Sequence, residues 1–125
     1  MNKVSFFAVP ALVLLMLSSC YYDVEEELFP ENKGCDTTAV SYAQAVKPIL
    51  DSKCTGCHGG GAPSAGIKID TYIDLKGYLD IDAARFVSSI VHDGNASNMP
   101  KGQSKMPDCE VNKIRAWINA GYPEN

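Results

Sequence analysis

The chain has 125 residues, 46% hydrophobic and 21% charged, with five cysteines, two histidines and one tryptophan. That length suits one small domain, the apolar share is too high for a disordered chain, and a single long apolar run excludes a multi-span membrane protein. Eleven basic against fifteen acidic side chains give a net charge of −4 with no block of lysines and arginines, so nucleic acid is not an expected partner.

At the N-terminus Lys3 precedes an apolar stretch from Phe6 to Leu17, followed by Ser18, Ser19 and Cys20. Such a stretch is well short of the roughly 20 apolar residues that cross a bilayer, so residues 1–19 read as a cleaved export signal. Leu17-Ser18-Ser19-Cys20 resembles the lipobox of bacterial lipoproteins, which makes Cys20 the expected lipid-bearing residue. An ordinary signal peptide cut nearby is the plainer alternative. Removing 19 residues leaves 106 and, with Lys3 gone, a charge of −5. Residues 20–34 carry Asp23, Glu25, Glu26, Glu27 and Glu31 with Pro30 and Gly34, and read as an acidic tether. The folded domain is expected over residues 35–125. A core of that size gains from a covalent staple or a large prosthetic group.

The domain shows helical periods and no sustained alternation, so the fold class is all-α with about four short helices. Ser41 and Gln44 have the form of a capping box, after which Tyr42, Val46, Ile49 and Leu50 share a face. Pro48 inside this pattern predicts a kink or a late start. Thr71 with Asp74 opens a second helix, apolar at Tyr72, Leu75 and Leu79, and Ala83 to Val91 form a third. Pro107 and Asp108 open the fourth, whose buried side carries Val111, Ile114, Trp117 and Ile118 before Gly121 stops it.

The chemistry is concentrated in Cys54-Thr55-Gly56-Cys57-His58, the c-type haem attachment pattern. Two thiols three positions apart can add to the two vinyl groups of one haem, and the next residue then lies beneath the iron. Two other uses of C-x-x-C compete. Zinc needs two further ligands at matching spacing, and His92, Cys35 and Cys109 form no second pair. A thioredoxin-like redox pair belongs in a βαβ setting, whereas this pattern is helical throughout. Covalent haem c is therefore the expected cofactor.

Three residues can supply the other axial ligand. Met99 lies in Asp93-Gly94-Asn95-Ala96-Ser97-Asn98-Met99-Pro100, a loop long enough to wrap a flat cofactor. Met106 also precedes a proline, but at a helix opening, where apolar side chains pack back on the first turn. His92 ends the third helix, where a histidine commonly acts as a solvated cap.

The ordered set Val46-Lys47-Pro48-Ile49-Leu50, Cys54 to His58, Gly66-Ile67-Lys68-Ile69-Asp70, Met99-Pro100 and Arg115-Ala116-Trp117-Ile118-Asn119-Ala120-Gly121 resembles class I cytochrome c, specifically the short planctomycete-type domain, over most of Tyr42 to Pro123. The resemblance implies a small cytochrome c fold around one covalent haem, borne by Cys54 and Cys57, with His58 as proximal and Met99 as distal ligand. It places Met106 at a plain hydrophobic position and says little about Cys35 and Cys109.

In an exported protein this last pair suggests a disulfide, closing a loop of about 74 residues and contributing on the order of 4 kcal/mol. Two separate buried thiols are the alternative. Gly59-Gly60-Gly61 lacks the lysine-serine ending of a phosphate loop and reads as a turn. Lys47, Lys53, Lys101 and Lys105 flank the haem-bearing segments as a solvated rim that can also guide a redox partner. The expected function is electron transfer between redox partner proteins, in the periplasm or at the cell surface, with the membrane reached through the lipid. A peroxidase-like haem enzyme, with only His92 as polar catalytic residue, and a sensor with a displaceable Met99 are the alternatives.

Overall fold

The structure, a computed structural model, describes residues Gly34–Asn125. The export segment, Cys20 and the tether up to residue 33 lie outside the described residues. Pro48 sets where the first regular helix begins. A π-helical turn, Tyr42–Val46, comes first, and α1, Lys47–Lys53, follows with Pro48 in its opening turn, where no amide hydrogen is needed. The expected late start is thus met by a widened turn, in which Val46 N–H reaches back to Ser41 O. The capping box forms by half: Ser41 Oγ accepts from Gln44 N, and the neighbouring free amides go instead to Asn125. Ala43 N–H donates to Asn125 O at 2.9 Å and Tyr42 N–H to Asn125 Oδ1 at 2.7 Å.

Cys54 breaks the helical path with φ −123°, and α2, Thr55–His58, is a single turn. A 3₁₀ turn, Ser64–Gly66, follows. The second and third expected helices are one element, α3, Tyr72–Val91, kinked at Asp82 (φ −157°, ψ 72°). The kink carries its own cap, because Asp82 Oδ1 accepts from Arg85 N at 2.9 Å as an N-terminal aspartate does. Thr71 caps the front of α3 through Asp74 N–H. The fourth helix, α4, Asp108–Asn119, ends as its glycine predicts. Gly121 (φ 85°) lets its own N–H reach Ile118 O and Tyr122 N–H reach Trp117 O, the paired bonds of a Schellman stop. Among the described residues the secondary structure is helical, without strands.

The core joins the π turn, α1, α3 and α4. Val46, Leu50, Leu75, Ile90, Ile114 and Trp117 are its most deeply buried side chains. Trp117 stacks on Tyr42 at 5.5 Å between centroids, and Tyr42 meets the edge of Tyr72 at 5.2 Å. The polar ends of these rings are satisfied: Trp117 Nε1 donates to Pro123 O and Tyr72 OH to Tyr122 O. Met106, 4% exposed, belongs to this core. Cys35 and Cys109 are joined by a disulfide with Cα atoms 5.5 Å apart, tying the irregular segment before the π turn to the first turn of α4.

Replacing both cysteines, Cys35→Ala with Cys109→Ala, is expected to lower the unfolding free energy by about 4 kcal/mol, the chain-entropy value for a loop of this length. Denaturant titration measures it, and an unchanged midpoint would show that the closed loop carries no such stabilisation.

Candidate functional site

Cys54, Cys57 and His58 occupy positions i, i+3 and i+4 around one turn, so their side chains share a face. The backbone bonds of that turn are Cys57 N–H to Cys54 O at 3.1 Å and His58 N–H to Cys54 O at 2.9 Å. Together they line a cavity of about 480 Å³, within the usual range for ligand pockets. A second depression of about 520 Å³ has walls of Asp82, Arg85, Ser88, Asp93 and Asn95. Size does not separate the two. Chemistry does, because the first is walled by Ile67, Ile69, Phe86 and Ile90 and carries both thiols.

The imidazole of His58 is aimed by its other nitrogen. Nδ1 lies 3.1 Å from the carbonyl oxygen of Ile67. A carbonyl only accepts, so Nδ1 carries the hydrogen and Nε2 keeps a lone pair free for a metal. The Ile67 carbonyl is held in turn by Ile67 N–H to Ser64 O and by Ile69 N–H to His58 O at 2.9 Å. Ala65, in the left-handed region at φ 56°, allows the 3₁₀ turn that brings this carbonyl round. Sequence reasoning singled out Gly66 to Asp70 as a motif; it did not show that a main-chain oxygen there serves the histidine.

Burial pushes the Cys54 thiol up to about 11, with the negative charge of Glu110 adding to the effect. Glu110 Oε2 is itself buried with no hydrogen-bond partner among the described residues. Cys57 is exposed. The two thiols therefore bracket the cavity from an inner, uncharged position and an outer, accessible one.

Met99 lines the same cavity, half-buried, with Pro100 beside it. Its N–H donates to Ser89 O at 2.9 Å, and its carbonyl lies 2.9 Å from His92 Nε2. Met106 and His92 are not among the lining residues: Met106 packs in the core, and His92 caps α3. Three cations also line the cavity, namely Lys53, Arg85 and Lys101. Lys47, Lys68, Lys76 and Lys105 each pair with an aspartate, while these three have no carboxylate partner among the described residues. Lys53 and Lys101 were visible in the sequence as rim residues. Arg85 was not, because its place depends on the kink at Asp82.

A small helical domain that gathers a C-x-x-C-H turn, a supported histidine and a methionine loop around one apolar cavity is a c-type cytochrome domain. The chain matches the family model described as cytochrome c oxidase, cbb3-type, subunit III, over residues 42–118, and belongs to that family of cytochrome c domains. None of the curated proteins and none of the solved structures compared with the chain matches it. Membership implies covalently bound haem c and fits an electron carrier rather than an enzyme. No helix among the described residues is long and apolar enough to cross a membrane.

Close packing behind the Cys54 to His58 turn makes Gly59 a sensitive position. A β-carbon there would stand 2.7 Å from Thr55 O and 3.2 Å from the Asp70 side chain, whereas at Gly61 it would meet nothing within 4 Å. Gly59→Ala should cost about 1–3 kcal/mol as an overpacking change and Gly61→Ala close to nothing, read from thermal unfolding of the two variants side by side.

Proposed function

We propose that this chain is a monohaem c-type cytochrome of the short planctomycete type, carrying single electrons between membrane-associated or periplasmic redox partners. The observation that carries the reading is that Cys54, Cys57, His58 and Met99 all line one apolar cavity. Their chemistry fits haem c: two thiols for thioether bonds, an imidazole whose Nε2 is free, and a soft thioether. Bound haem supplies a one-electron Fe(III)/Fe(II) couple. Cys54 and Cys57 would hold the group and His58 and Met99 would ligate its iron, while the unpaired Lys53, Arg85 and Lys101 put positive charge on the cavity wall, suited to an anionic group. With Met99 as second ligand no position is left open for a substrate.

The peroxidase-like reading loses support, because the catalytic residue that the sequence offers for it, His92, is bonded through Nε2 to the Met99 carbonyl and does not line the cavity. Export and lipidation at Cys20 complete the proposal, resting on the Phe6–Leu17 run and the Ser18-Ser19-Cys20 ending. Stable attachment takes more than one acyl chain, as in bacterial lipoproteins.

The purified protein should contain one haem per chain and titrate as a single one-electron couple. In the oxidised state a weak sulfur-to-iron charge-transfer band is expected near the red end of the visible spectrum. Met99→Ala should abolish the band, lower the potential and admit carbon monoxide to the reduced iron, while Met106→Leu keeps the band at a cost below about 1.5 kcal/mol. A wild-type protein that already binds carbon monoxide would favour the sensor or enzyme instead. Separately, Cys20→Ser should move the protein from the membrane to the soluble fraction; a variant still on the membrane would rule out the lipid as its anchor.

A further inference from the structure

The loop that carries Met99 has no regular secondary structure, and the last turn of α3 holds it at both ends. At its start Ser88 Oγ bonds Asp93 Oδ1, which also accepts from Asn95 N at 2.9 Å. At its end Ser89 O takes the N–H of Met99 and His92 Nε2 faces its carbonyl, each at 2.9 Å. Both main-chain polar groups of Met99 are thereby fixed, and only the side-chain torsions remain free. We infer that His92 is the positioning residue for Met99, holding its carbonyl so that the thioether stays directed into the cavity. This rests on the reading of Met99 as an iron ligand.

Two further features bear on it. His92 sits in the left-handed region at φ 60°, ψ 42°, as the cap of α3. A helix that needs only to stop takes glycine or asparagine there, since a β-carbon at positive φ is strained. This chain keeps an imidazole at the strained position, and the ring has a partner. The hydrogen-bond chemistry also removes His92 as a ligand through Nε2. A carbonyl oxygen accepts, so Nε2 bears a hydrogen and has no lone pair to offer a metal. The residue that competes with Met99 for the iron in the sequence is, in the fold, the one that serves it. A thioether is a weak neutral ligand, so it depends on a loop ordered before binding.

The test uses the haem-loaded protein. His92→Gly relieves the left-handed strain and keeps the helix stop while deleting the ring; His92→Asn also tolerates that conformation and gives a second variant without the ring. Both should keep the helical circular dichroism and one haem per chain, yet lose much of the sulfur-to-iron band. Imidazole should bind their oxidised iron about tenfold more tightly, the fold-change that corresponds to one hydrogen bond. His92→Gln, which returns an N–H donor, should recover part of the band. A band and an imidazole affinity unchanged in His92→Gly and His92→Asn, where Met99→Ala removes the band, would overturn this inference alone. A wild-type protein without the band would overturn it together with the assignment of Met99.

Discussion

An imidazole can present one nitrogen to a metal in a fixed direction only if the other nitrogen is held. In this chain the holding group is the Ile67 carbonyl, 3.1 Å from His58 Nδ1. Much of the cavity's local structure serves to bring that carbonyl there. Gly59 lets the chain leave α2 tight against Thr55, Asp70 Oδ2 takes the N–H of Gly60, and the 3₁₀ turn reverses the chain so that Ile67 faces the histidine. The interaction links residues nine positions apart. A change in the connecting loop therefore acts on the histidine without touching the C-x-x-C-H motif.

Met99 is supported by the same device from another element. His58 and Met99 each have a main-chain group tied to a neighbouring segment: His58 through Ile69 N–H on its carbonyl, Met99 through Ser89 and His92. Neither His58 nor Met99 belongs to the group of fully buried core side chains. The core of Trp117, Leu75 and Ile114 sets where α3 and α4 lie, and hydrogen bonds then set the fine position of the residues that face the cavity. The division suits a cavity whose walls must stay apolar while a few atoms are placed closely.

What the sequence made legible is what is encoded locally. The C-x-x-C-H spacing, the delayed helix at Pro48, the Thr71 cap and the stop at Gly121 each depend on residues within one or two turns, and each stands where the pattern placed it. The cysteine count made the Cys35–Cys109 pair visible, since the sequence pattern reads the other three as lipid- and haem-bearing. Longer-range events were not legible. Asp82 reads equally well as a loop residue or as the cap of a kinked continuous helix, and only packing decides. The partner of Ser41 and Tyr42 is Asn125, more than eighty positions away. The carbonyls of Ile67 and Met99 carry no side-chain signature at all, so their work for His58 and with His92 is hidden from any reading of residue types.

The disulfide to α4 also has a mechanical meaning. Residues Gly34 to Ser41 have no regular structure, and Val40 alone of them packs against the core. Without a cross-link, a pull from upstream would peel this stretch away before reaching the π turn. The bond from Cys35 to Cys109 bypasses it and delivers the load to the first turn of α4, whose Val111, Ile114 and Trp117 are sunk in the core. Tension on the upstream chain is thus borne by a helix anchored in the core, and the cavity-lining turn at Cys54 to His58 lies off the line of force.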